Sequence, residues 1–239
     1  MDIKTLKTAF HLSIPVLMGY IPLAMAFAVS WCQADLPVIL ALLASLIVYA
    51  GSGQFLLVGL LAVSTPIISI IIATLAVNLR HIFYGLSFPK DKFNGHKFLL
   101  SYCVFALTDE AFSLISSLDK KADYRLIFFI SILCHFYWIV GTILGLILGE
   151  FIPKNINGFE FSLTALFVVM SLNYLRHKKL RPACFIGTIS AVLALFIVFL
   201  CNTSSNNFPA IAICILLFLL FIIPSRYIFH YSGGQNDYS

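Results

Sequence analysis

The chain has 239 residues, of which 61% are hydrophobic and only 10% charged, and a mean hydropathy of +1.00. That balance excludes a soluble domain and defines an all-α, polytopic integral membrane protein. Its net charge of +5 is carried in short basic clusters between apolar runs, the pattern of membrane-flanking loops rather than of a nucleic-acid surface.

The first apolar segment, about Ala9 to Trp31, follows Lys4 and Lys7 and carries Pro15, Gly19 and Pro22 on one face. Its Ala24-Met25-Ala26 mimics a cleavage site, but the apolar region continues to Trp31, so it is expected to be a retained first helix. A face of Pro and Gly either kinks a helix or packs closely. The polar stretch Gln33 to Leu36 ends it.

Segment 2, Pro37 to Val63, is too long for one plain span and is interrupted by Tyr49-Ala-Gly-Ser-Gly-Gln-Phe55. Gly51 and Gly53 weaken a helix where Ser52 and Gln54 add polar groups, so the spacing predicts a break and a restart near Gly53 with Ser52 as N-cap. The first amides of a restarted helix have no intrahelical partners and carry the positive end of the dipole, which suits a substrate carboxylate at mid-membrane depth. The alternative is a Gly-rich contact in an unbroken helix.

Segment 3, Pro66 to Phe88, holds Arg80 and His81 inside an apolar run. At 100° per residue Asn78, His81 and Gly85 share one side, and Arg80, Tyr84 and Ser87 the adjoining one. An arginine in a span costs roughly 2.5 to 3.5 kcal/mol at the helix centre, so Arg80 requires an anionic partner, a wet cavity or an interface. Segment 4, about Phe98 to Leu118, supplies the counterparts in Asp109 and Glu110 of Thr108-Asp-Glu110. These point about 100° apart, so one can pair with Arg80 while the other stays neutral or faces a cavity, unless the whole is a structural ion pair.

Segment 5, about Leu126 to Gly149, has Gly141, Gly145 and Gly149 at i, i+4, i+8, a helix-packing ridge. His135 on the same segment is either a proton relay or a satisfied structural histidine. Segment 6, about Phe159 to Leu175, opens on Glu160 as a helix N-terminal charge. The basic cluster Arg176 to Arg181 precedes segment 7, Pro182 to Leu200, and segment 8, about Phe208 to Phe229, which are apolar scaffold.

About eight transmembrane segments thus form a single domain over residues 1–239, with one or more broken helices. With the N-terminus inside, Lys4, Lys7, Lys120, Lys121, Arg125, Arg176, Lys178, Lys179, Arg181 and Arg226 fall on the cytoplasmic side. Only Lys90, Lys92, Lys97 and Lys154 fall opposite, which supports cytoplasmic termini. The six cysteines, Cys32, Cys103, Cys134, Cys184, Cys201 and Cys214, show neither CxxC spacing nor a disulfide framework. No metal or cofactor is expected.

Several stretches together resemble the AzlC (azaleucine-resistance) family, large subunits of bacterial branched-chain amino acid exporters. They are Pro15 to Phe27 (PVLMGYIPLAMAF), Val48 to Phe55 (VYAGSGQF), Val77 to Gly85 (VNLRHIFYG), Thr108 to Glu110 (TDE), Trp138 to Gly149 (WIVGTILGLILG) and Gly158 to Phe167 (GFEFSLTALF). The pairing of YAG-x-x-QF with NLRH-x-x-YG is the specific part. The family usually has Asp where Glu160 stands, and a glycine where Met25 or Ala28 stands. The resemblance implies export of branched-chain or similar hydrophobic amino acids across the cytoplasmic membrane with a small, multi-spanning AzlD-like partner.

The residues themselves suit a secondary transporter rather than an enzyme, since the chain has no nucleotide-binding motif and its ionisable groups lie in spans. Substrate contacts are expected from Tyr49, Gly51, Ser52, Gly53, Gln54, Asn78, Arg80, His81 and Tyr84. Proton coupling is expected at Asp109 or Glu110, with His81 and His135 as the other candidates. An intramembrane hydrolase using His81, Asp109 and Glu110 is the rival, but HExxH and GxSxG are both absent from the sequence. A third possibility is a structural subunit in which Arg80 is architecture.

Overall fold

A computed structural model describes residues 3–119 and 122–153, together with Val168, Ile189 and Val192. Segment 8, Glu160 and the Arg176 to Arg181 cluster lie outside the described residues, as do segment 6 apart from Val168 and segment 7 apart from Ile189 and Val192. Everything below belongs to the compact unit Met1–Thr164. Among the described residues all regular structure is helical.

Two long helices form the frame. Helix α1 (Ile3–Gln33) and helix α8 (Tyr124–Gly149) have 31 and 26 residues, about 46 and 39 Å at 1.5 Å per residue, more than the ~30 Å of a hydrocarbon core. The glycine ridge of α8 seats on α1. A Cβ on Gly145 would lie 2.5 Å from the Met25 carbonyl oxygen and 2.6 Å from Met25 Cα, and one on Gly141 would lie 2.9 Å from the Ile21 oxygen. Carbon contacts are normally 3.5–4.0 Å, so only glycine lets the two backbones come this close.

The Pro15, Gly19 and Pro22 face does not make a matching contact. All three residues are exposed, no atom lies within 4 Å of a Cβ built at Gly19, and α1 continues through both prolines. The buried face of α1 is instead the one bearing Ser13, Val16, Tyr20, Leu23, Ala24 and Phe27.

Against this frame segments 2, 3 and 4 are interrupted. Segment 2 consists of α2 (Val38–Leu43), a π-helical turn (Ala44–Val48) and α3 (Gly51–Ala62). The break lies earlier than the glycines suggest. Tyr49 takes the left-handed conformation at φ 41°, ψ 52°, and α3 starts at Gly51 after Ala50, with no side-chain cap. Ser52 is therefore not the N-cap: it already sits in the first turn, and its hydroxyl is engaged by Arg80. A left-handed tyrosine is uncommon and needs support from its surroundings. That support is visible, for the Tyr49 ring lies tilted against His135 with centroids 4.3 Å apart and meets Trp138 edge-on at 6.5 Å.

Segment 3 comprises α4 (Ile67–Asn78) and α5 (Arg80–Ser87), joined through Leu79. The two run on as one 21-residue apolar span, Ile67–Ser87, and α4 buries none of its residues. Segment 4 is broken too, contrary to the single helix expected over Phe98 to Leu118. Helix α6 (Lys97–Phe105) ends, Ala106 and Leu107 pass in non-helical conformation, and α7 (Asp109–Ser116) begins with Thr108 as N-cap, its Oγ1 accepting the Ala111 N–H at 3.2 Å. Each half, at 8 or 9 residues, covers about 12–14 Å, so the pair reaches across only by being stacked end to end. The physical reason is local: a threonine followed three residues later by the amide it caps starts a helix better than it continues one.

Candidate functional site

The two restarted helices bring their N-terminal ends to the same arginine. Arg80 Nη1 lies 2.7 Å from Asp109 Oδ2, with the side chains 25% and 9% exposed, and Arg80 Nη2 donates to the Ser52 hydroxyl. Arg80 thus bridges the first turn of α3 to the first residue of α7. Tyr84, one turn further along α5, donates its hydroxyl to Asp109 Oδ1 and stacks on Phe112 with ring centroids 4.7 Å apart. Asp109 therefore receives a guanidinium on one oxygen and a phenol on the other.

Glu110 points elsewhere. Its Oε2 accepts the hydroxyl of Tyr20 on α1 at 2.9 Å, and the same Tyr20 hydroxyl is hydrogen-bonded to Thr108 Oγ1. No lysine, arginine or histidine lies within ion-pair distance of Glu110 among the described residues. The two neighbouring carboxyls are thus separated by function, one in an ion pair and one on a phenol.

The other expected contact residues surround the start of α3. Gly51 faces the Trp138 indole, 3.3 Å from the site of a Cβ, and Gly53 faces the Asn78 amide, 2.9 Å from such a site. His81 Nδ1 donates to the Asn78 carbonyl at 3.1 Å, and its ring meets Tyr84 edge-on at 5.7 Å. Tyr49 and Trp138 are each 2% exposed. The Tyr49 hydroxyl, Trp138 Nε1, Asn78 Oδ1 and Gln54 Oε1 are buried without a hydrogen-bond partner among the described residues. A buried polar atom left unsatisfied costs about 1–3 kcal/mol, and of these four the Asn78 amide lies against Gly53 in the first turn of α3, whose first amides have no intrahelical partner.

Gln54 is placed differently from its expected role. It is fully buried, and its Nε2 donates to Ser45 Oγ at 3.2 Å; Ser45 in turn bonds Thr142 of α8 at 2.9 Å. It ties the π-turn to the frame. His135 belongs to the same network: Nε2 meets the Ser45 carbonyl at 3.2 Å and Nδ1 the Tyr102 hydroxyl at 3.0 Å. A carbonyl only accepts, so Nε2 carries the proton and Nδ1 accepts from Tyr102. Both ring nitrogens are hydrogen-bonded within this network.

Tyr20, Ser45, Thr142 and Trp138 had no assigned role in the sequence. A lone hydroxyl on an apolar helix carries no periodic signal, although Tyr20 does stand between Gly19 and Pro22 in one of the characteristic stretches. Among the described residues no cluster of His, Cys, Asp and Glu could hold a metal ion, and Cys32, Cys103 and Cys134 are free thiols.

An all-helical membrane protein with broken helices converging on an intramembrane ion pair is the class these elements define. The family model described as AzlC protein matches residues 15–152, and the chain belongs to that family. A membrane protein of Helicobacter pylori is 34% identical over 196 residues, 81% of this chain and 86% of the relative. Branched-chain amino acid transport protein AzlC of Bacillus subtilis is 30% identical over 177 residues, 72% and 69%. Inner membrane protein YgaZ of Escherichia coli is 25% identical over 191 residues, 75% and 78%. No solved structure matches the chain.

Proposed function

We propose that the chain is the large subunit of a secondary transporter that exports branched-chain or similar hydrophobic amino acids by proton antiport, together with a small AzlD-like membrane subunit. It would act in the bacterial cytoplasmic membrane with both termini inside. The observation that carries the reading is the start of α3. Free amides at Gly51 to Gly53 suit a carboxylate, with the unpartnered Asn78 Oδ1 beside Gly53 and the Trp138 ring over Gly51. The aromatic wall of Phe27, Tyr49 and Trp138 supplies apolar surface for an aliphatic side chain. The name of the Bacillus subtilis relative supports the same substrate class.

The test is efflux of labelled leucine from preloaded vesicles containing the chain with and without the small subunit. Leucine-dependent flux that needs this chain is expected. Absence of flux in both preparations, with the protein folded and inserted, would overturn the assignment.

A further inference from the structure

The ion pair and the second carboxylate divide the charge of the site unequally. Arg80 and Asp109 neutralise each other at 2.7 Å. Glu110 adds one negative charge that no cation among the described residues offsets at contact distance, and a bare carboxylate in a span demands compensation. Two mobile cations are available to an amino acid antiporter: a proton and the substrate ammonium. They would compete for one carboxylate, and competition of that kind is what obliges exchange in opposite directions.

Each of the other titratable candidates also has contacts of its own. Asp109 is held by Arg80 and Tyr84. His81 Nδ1 is bound to the Asn78 carbonyl, and His135 uses both nitrogens. The groups that face Glu110 are Asp109 beside it, Arg80 from α5, Tyr20 from α1, Tyr49 from the break in segment 2, and Cys134 from α8.

The hydrogen bonds around Glu110 also have a direction. An ionised carboxylate only accepts, so the Tyr20 hydroxyl donates to Glu110 Oε2. Tyr20 has no second hydrogen, so Thr108 must donate to the Tyr20 oxygen while its own Oγ1 accepts the Ala111 N–H. Protonated Glu110 can donate instead. The Tyr20 hydroxyl is then released to donate to Thr108, and the Thr108 hydrogen must find another acceptor at the cap of α7. One proton on Glu110 therefore reverses a chain that runs from α1 to the break in segment 4.

We propose that Glu110 is the group where the coupled proton and the substrate ammonium exclude each other, with Tyr20 and Thr108 as positioning residues that transmit its charge to the α7 cap. This assignment rests on the amino acid antiport reading.

Its test has two arms, both on the full-length chain with its small subunit. In the first, binding of labelled leucine is measured between pH 5 and pH 9. The wild-type apparent Kd should rise about tenfold per pH unit on the acid side of the Glu110 titration, as competition for one site requires. Glu110→Gln should bind weakly with an affinity independent of pH. Tyr20→Phe, which removes a donor to the carboxylate, should move the midpoint to higher pH and leave the alkaline-limit affinity within about threefold. A Glu110→Gln protein whose leucine affinity still falls on acidification as in wild type would overturn the proposal.

The second arm uses no substrate, so it separates failure of this assignment from failure of the transport reading. Trp31 and Trp138 are the two tryptophans of the chain, and Trp138 meets the Tyr20 ring edge-on at 5.4 Å. In a Trp31→Phe background, Trp138 fluorescence should titrate with pH, and the transition should vanish in Glu110→Gln. Glu110→Asp is the variant to use if the glutamine form does not fold, and it should titrate with a shifted midpoint. A transition unchanged by either substitution, or none in the parent protein, would overturn the role of Glu110 whatever the protein transports.

Discussion

Removing the positive member of the ion pair, Arg80→Met, should be far more damaging than removing both members. At 2.7 Å and an effective permittivity near 20, the gross attraction is about 6 kcal/mol, reduced because the Arg80 side chain is 25% exposed. Breaking such a pair by deleting one partner typically costs about 3–5 kcal/mol, since a charge is stranded, while neutralising both members is much cheaper. Asp109 would keep the Tyr84 hydroxyl but lose its counter-charge. The cycle of Arg80→Met, Asp109→Asn and the double variant should therefore show a coupling of about 2–3 kcal/mol, roughly 30- to 150-fold in the folding equilibrium. Reversible unfolding in mixed micelles of rising sodium dodecyl sulfate content, followed by tryptophan fluorescence, measures it. If the two single effects add to the double effect within about 0.5 kcal/mol, the pair is not energetically coupled and the reasoning fails.

Gly53→Val should abolish leucine export, because its Cβ would sit 2.9 Å from Asn78 Nδ2; wild-type flux would refute a site at the start of α3. Gly145→Leu should reduce folded protein before it alters substrate preference. The Cβ would fall 2.5 Å from the Met25 oxygen, and overpacking of this kind costs at least about 1–3 kcal/mol; size-exclusion profiles after mild heating report it. Gln54→Leu should lower thermal stability with modest effect on leucine affinity, since the amide is bonded to Ser45; a large affinity loss at unchanged stability would place Gln54 in the site.

The charged residues were legible because each one is costly in an apolar run. Arg80 demanded a carboxyl, and Asp109 and Glu110 stand in the middle of the apolar stretch Phe98 to Leu118. Which of them pairs was not legible: two residues 100° apart on a helix are equivalent until the position of Tyr20 on another helix is known. The glycines announced a break in segment 2, but its location depends on Tyr49, held left-handed by His135 and Trp138 from α8. That contact is 86 positions away in sequence for His135, beyond any local pattern. The break before α7 was hidden because Ala106 and Leu107 look helical, and Thr108 announces a cap only once the chain has stopped coiling. The ridge of Gly141, Gly145 and Gly149 was plain from its spacing, whereas its partner, the Ile21 to Cys32 stretch of α1, was not.

The closeness of that ridge restricts how the protein can open. Backbones in contact at Gly145 and Met25 have no slack for sliding or rolling, so α1 and α8 must behave as one stator. Among the described residues the chain is already uncoiled at Tyr49-Ala50 and at Ala106 to Thr108, so a movement of α3 or α7 would meet least resistance there. A cysteine at position 149 would have its Cβ 2.9 Å from Cys32 Sγ, close enough for modest adjustment to allow a disulfide. Such a covalent clasp between α1 and α8 should leave transport running, whereas a clasp across either hinge should stop it.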